Sequence, residues 1–297
     1  MMKTLNDCHF IDIHYHAAPD LYKRRFSAMD AGRRYQALNG AVVLTSHLGA
    51  TSVHATLAQM EGLPVFPSVV LNHIAGGIDY RVIMRALSEY QPVIRSKLLV
   101  HFPTITGRPY RSSLTRRLVS EQLSPFSQRA ETLFDSRQCL QKSVVDILKM
   151  SADFPIVLST GHASKEEVYA LVEACDMYNV PQLILNQPAN PLTGLNADEL
   201  LALTQCKRVW VEQTALTYLL GYQTTEDFKR VLDELPRVIY SSDLGQTSQM
   251  DIDAWRLASA RYFKAFELSA QRQEDICRKN ALMLLDPTLG VDGTTAK

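Results

Sequence analysis

The sequence has no surplus of charge, no long apolar run and no paired cysteine motif, and each absence removes a class of function. Lys and Arg number 31 and Asp and Glu number 31. Neutralising phosphates requires a basic excess or a basic patch, so this balance argues against a nucleic-acid partner. The compact basic runs, Lys23-Arg24-Arg25 and the stretch 108–117, are short enough to read as solvated faces. Five cysteines (Cys8, Cys139, Cys175, Cys206 and Cys277) lie scattered with no C-x-x-C pair, which excludes a zinc ribbon and a dithiol redox motif. They read as reduced cytosolic thiols. Nowhere do eighteen apolar residues run together, and MMKTLNDCHF lacks the apolar centre of a signal peptide. The expectation is a cytoplasmic protein with neither a membrane nor a nucleic acid as partner.

What the sequence does contain is a series of short β-rich runs, at 9–13, 41–44, 65–71, 97–100, 155–158, 182–185, 208–211 and 237–240. Several are continuously apolar, which suits strands covered on both faces of a parallel sheet. Helical stretches lie between them, with capping boxes at Ser164-Lys-Glu-Glu167 and Asn196-Ala-Asp-Glu199. A chain of 297 residues admits one large barrel or two average domains. Eight strand-helix units predict the former: a (β/α)8 TIM barrel forming a single domain over 1–297. The interval from the fourth run to the fifth is much longer than the rest, which predicts an insertion at about 104–138. Its length and position suit a lid over the site or a contact with another subunit. Extra C-terminal helices are expected at about 252–285.

In such a barrel the chemistry sits just beyond the C-terminal ends of the strands. There the sequence places six of its eight histidines: His14 and His16, His47, His73, His101 and His162. Asn186-Gln187 follows the sixth run, Glu212 the seventh and Asp243 the eighth. The spacing His14-Tyr-His16 aims two imidazoles to one side of an extended strand, as two ligands of one ion require. H-x-H alone is a weak signal. Its weight comes from a strand-five His and a strand-eight Asp that a barrel would bring to the same point.

These residues resemble those of the amidohydrolase superfamily of metal-dependent hydrolases. Within it, Asp12-Ile-His14-Tyr-His16-Ala-Ala-Pro-Asp20, 46–51, Thr160-Gly-His162, Ser242-Asp243-Leu-Gly-Gln246 and 280–285 resemble a poorly characterised amidohydrolase-like subgroup. The resemblance implies that His14, His16, His162 and Asp243 hold a divalent metal, usually zinc, with Mn or Fe as alternatives. It also implies that Asp243 takes the proton from the water that the ion activates, with His162 the second catalytic group. Two positions depart from the pattern. Gln187 stands where many members have a strand-six His, and His101 stands where a bridging Lys or Glu would serve a second ion. One metal is therefore expected.

The remaining strand-end groups are candidates for ligation or substrate binding: His47 in place of the missing His, His73 before Gly76-Gly77, and His101, Gln187 and Glu212 by position. Arg108 and Arg111 on the insertion could clamp a substrate carboxylate bidentately. His9 and His54 read as structural. The activity expected is hydrolysis of a C–N (amide or amidine) or ester/lactone bond in a small polar, anionic molecule. The alternatives are a metal-dependent decarboxylase or lyase on the same barrel, and a noncatalytic barrel that binds a ligand. A homo-oligomer is also consistent with the fold.

Overall fold

The structure, a computed structural model, describes residues 4–109, 114 and 116–289. Each of the eight expected runs forms a strand, and the third forms two. They are β1 (Phe10–His16), β2 (Gly40–Thr45), β3 (Val65–Phe66), β4 (Ser68–Val70), β5 (Leu98–His101), β6 (Ile156–Ser159), β7 (Leu183–Leu185), β8 (Val209–Thr214) and β9 (Val238–Ser241). The break falls at Pro67, which has no N–H to give to a ladder. Two parallel sheets result, β1-β2-β3 and β4 through β9, each in chain order.

The expected continuous barrel ladder is thus interrupted at Pro67 and again where β9 approaches β1. At that second seam the contact is a single parallel bridge, Tyr15 to Leu244. Hydrogen bonds from Asp243 N to His14 O and from His16 N to Leu244 O, both 2.9 Å, fasten it. The side chains still converge. Ile13, Val43, Phe66, Leu99, Val157, Ile184, Trp210 and Ile239, one from each strand except β4, form one buried cluster with Ala281, Leu284 and Leu285. Their neighbours in sequence, such as Val42, Val100, Leu158 and Tyr240, pack outward in a second cluster under the helices. Apolar burial on both faces explains why the runs are continuously apolar rather than alternating.

Both capping boxes form. Ser164 Oγ accepts from Glu167 N while Glu167 Oε2 accepts from Ser164 N, and Asn196 and Glu199 repeat the exchange. The C-terminal region begins as expected with a helix at Ile252–Ala265, but 271–285 is not one helix. It runs as Ala270–Glu274, a π turn at Asp275–Lys279 and Asn280–Leu285, the last plugging the inner cluster. The described part of the insertion carries only Glu121–Leu123 and Ser124–Ser127 as helical turns. It lies against the loop after β1 through Lys23 N to Arg117 O, 2.9 Å. Among the described residues no helix is long and apolar enough to cross a membrane.

Two glycines let the strand ends close up. Gly161 (φ +56) lies under Phe102, and Gly245 (φ +124) lies under His16, where an added Cβ would meet the His16 carbonyl oxygen at 1.9 Å. Gly245→Ala should therefore destabilise the protein by about 3 kcal/mol or more, since both backbone conformation and space forbid a side chain. Thermal and urea melts measure this, and a wild-type midpoint would contradict the close approach.

Candidate metal centre

Three side chains meet at the seam between β1 and β9. His14 Nε2, His16 Nε2 and Asp243 Oδ1 lie 3.3 Å from one another on all three edges. Such a triangle of lone pairs, buried away from water, is repulsive unless a proton or a cation sits among them. For a tetrahedral ion the 3.3 Å edge puts the centre about 2.0 Å from each atom, the distance at which zinc takes nitrogen and oxygen. The donor set therefore fits a divalent metal.

Local structure sets the triangle. A register shift in β1 between Asp12 and Tyr15 spans His14, and the two imidazoles still reach the same point. Asp243 reaches them from a left-handed backbone, φ 50. Asp12, fully buried, accepts from Tyr35 Oη, from His14 N (3.1 Å) and from Ser242 N (3.0 Å), so it ties β1 to the chain beyond β9.

Behind the triangle, Glu212 Oε1 faces His14 Nδ1 at 3.0 Å and accepts from Ser241 Oγ at 2.6 Å. That contact keeps the His14 proton on Nδ1 and leaves Nε2 as a donor to an ion. Glu212, expected to face the cavity, instead supports His14 from behind. Burial alone would lower the His14 pKa, but the charges of Glu212 and Asp243 overcome it and push it up to about 9. Burial, Arg24 and neighbouring histidines hold His16 well below the ordinary value.

His47 stacks on His16 with ring centroids 4.7 Å apart, and its Nδ1 lies 3.3 Å from Asp20 Oδ2. Asp20 also accepts from His47 N (2.7 Å), Ser46 Oγ (3.2 Å) and both Nε (2.6 Å) and an Nη of Arg24. Burial opposes its ionisation, yet His47 and Arg24 hold the Asp20 carboxyl far below the usual range. His16, Asp20 and His47 form a second set of ligand-type atoms within 4.8 Å, but its carboxylate already grips a guanidinium.

The other expected groups divide. His162 lines the cavity outside the triangle, its pKa lowered to about 3 by burial and then by Arg116. Gln187 lines it as well. His101 lies 5.7 Å from the His14 ring and bonds through Nδ1 to Ser159 Oγ at 2.9 Å, behind the cavity rather than on its wall. His73 turns away to Glu131, 3.0 Å, because the insertion offers it a carboxylate. Arg108 is not free to clamp a substrate: it pairs with Glu167 at 2.7 Å and donates to His162 O at 3.1 Å. Arg111 lies outside the described residues.

The cavity, counted together with its open mouth, holds about 550 Å³ of empty space and is walled further by Arg24, Leu114, Arg116, Asn190, Leu216, Thr217, Tyr222 and Gln246. Arg24, read from the sequence as part of a solvated basic run, is instead buried, its side chain 1% exposed, because the buried Asp20 carboxylate draws it inward; the pair sits in a loop, where no periodicity marks a face. Their i, i+4 spacing with opposite charge was the signal available.

The sequence profile of a family of unknown function, DUF6282, matches residues 9–212. No curated protein matches the chain. Among solved structures, an amidohydrolase from Burkholderia multivorans with bound zinc is 12% identical, with a TM-score of 0.54 over 93% of this chain and 98% of that one. A protein from Agrobacterium tumefaciens in its apo form is also 12% identical, with a TM-score of 0.55 over 93% and 95%. At that identity the likeness is one of fold.

Because His14 holds a proton below about pH 9, a cation entering the triangle must displace it. Apparent affinity for zinc should climb with pH up to about 9, and uptake at pH 7 should release about one proton per ion. Calorimetry in two buffers of different ionisation heat counts that proton. Binding without release would contradict the charge assignment.

Proposed function

The chain belongs to the family of unknown function DUF6282, and from the geometry of its site we propose that it is a metal-dependent hydrolase of the amidohydrolase kind. The reading takes 1–297 as one (β/α)8 domain. It assigns His14, His16 and Asp243 to a single divalent ion, zinc, with His162 beside it. The observation that carries it is the buried triangle with 3.3 Å edges. The zinc bound in the Burkholderia neighbour, which shares the fold, supports the choice of metal.

When bound, the ion supplies Lewis acidity that lowers the pKa of a water toward about 7. Asp243 is the group that takes the attacking water's proton, held at the triangle by its left-handed backbone. His162, uncharged at neutral pH, offers a neutral hydrogen bond to the substrate rather than a charge. Leu114, Leu216 and Leu220 give the same cavity an apolar portion of wall. Arg116, brought over the cavity by the insertion, and buried Arg24 bias it toward a small anionic substrate, with the insertion as its lid. Scattered, unpaired cysteines support a cytoplasmic setting.

Metal analysis tests the assignment. Wild-type protein should hold about one zinc per chain, and His14→Ala/His16→Ala should lose it with an unchanged circular dichroism spectrum. Asp243→Asn should retain part of the ion and lose turnover by roughly 10²–10⁴-fold, the span of general base catalysis. An unchanged ion content in the double variant would overturn the site.

A further inference from the structure

Six described residues other than glycine adopt positive φ: Asn39, Gln138, Asn179, Gln187, Asp243 and Glu267. Asn39, Asn179 and Glu267 directly follow helix C-caps, where that conformation ends the helix. Gln138 closes a turn on Asp135. Only Gln187 and Asp243 line the cavity. Asp243 gains the triangle by it. Gln187 gains nothing visible within the protein, although φ 38 is unfavourable for any residue with a Cβ and doubly so before Pro188. The following loop imposes it: Asn190 N donates to Gln187 O (2.8 Å), Leu195 N to Pro188 O (2.9 Å) and Thr193 Oγ1 to Ala163 O (2.7 Å). Strain held this firmly at a cavity wall points to function.

The side chain gives the second observation. Gln187 is 5% exposed, and its carboxamide bonds to no described residue. A buried amide normally satisfies both its oxygen and its nitrogen. Gln187 lines the cavity, where a ligand can supply those partners.

We propose that Gln187 determines substrate specificity, its carboxamide pairing with a substrate group that offers both an N–H and an acceptor oxygen. The proposal rests on the hydrolase reading and narrows it to C–N substrates such as carboxamides and ureides. An ester or lactone offers acceptors alone, so it would bury the Gln187 Oε1 without a donor.

The probes are acetohydroxamic acid and its N-methyl analogue, which bind metal alike but differ in the N–H. Their dissociation constants are measured on zinc-loaded wild type, Gln187→Met and Gln187→Glu, with zinc content recorded for each. The N-methyl penalty should be about tenfold larger in wild type than in Gln187→Met, the worth of one buried hydrogen bond. Gln187→Glu keeps the shape and the acceptor oxygen and should retain that penalty. A penalty equal in wild type and Gln187→Met, its loss in Gln187→Glu, or no binding of either probe by zinc-loaded protein overturns the inference. Wild-type protein that takes up no zinc overturns the hydrolase reading itself, so the two failures are distinguishable.

Discussion

The site depends on one backbone joint, the meeting of β1 with the chain just beyond β9. Asp243 N bonds to His14 O and His16 N to Leu244 O, so two ligand-type residues from one end of the chain and one from the other are locked by their own main chains. Asp12 reinforces the joint from beneath, accepting from Ser242 N and His14 N. Gly245 permits it, because any side chain there would strike the His16 carbonyl. Since the main chain fixes the triangle, the side chains need little freedom to meet, and pre-organisation of this kind lowers the cost of binding an ion.

Concentrating charge in a buried end of the fold is expensive unless each group is paired. The pairing is layered. Glu212 answers His14 and is itself answered by Ser241, while Arg24 answers Asp20. Asp12 has only neutral donors, and burial raises its pKa accordingly. The rest of the strand-end chemistry is built by elements that carry no ligand, such as the capped helix start at Ser164 that anchors Glu167 and, through it, Arg108.

The sequence made the strands legible because each is a short apolar run ending in polar groups. It made His14, His16 and Asp243 legible because their positions at strand ends follow from that pattern. Direction within a strand end was not legible. Glu212 and His101 stand at the expected places yet face His14 and Ser159 rather than the cavity, a choice of partner that spacing does not reveal. Nor could spacing reveal that His73 and Arg108 would be taken up by Glu131 and Glu167, partners 58 and 59 residues away in sequence. Pro67 was visible, but its effect on the ladder depended on whether its neighbour needed an N–H at that point.

The second cluster bears on how many ions the proposed site would take. His16, Asp20 and His47 offer nitrogen and oxygen donors within 4.8 Å, adjoining the first triangle through His16 itself. Yet the two nitrogens of His16 cannot both donate lone pairs while the ring is neutral: if Nε2 serves an ion, Nδ1 carries the proton. Asp20 is moreover held by the Arg24 guanidinium, whose side chain is 1% exposed and whose Nη also lies 3.2 Å from His47 Nδ1. A divalent ion would have to displace that internal cation and deprotonate an imidazole at once. The guanidinium meets the carboxylate's charge without either cost, so under the proposed reading the second set would hold no ion of its own, and His47 is braced as part of the cavity wall.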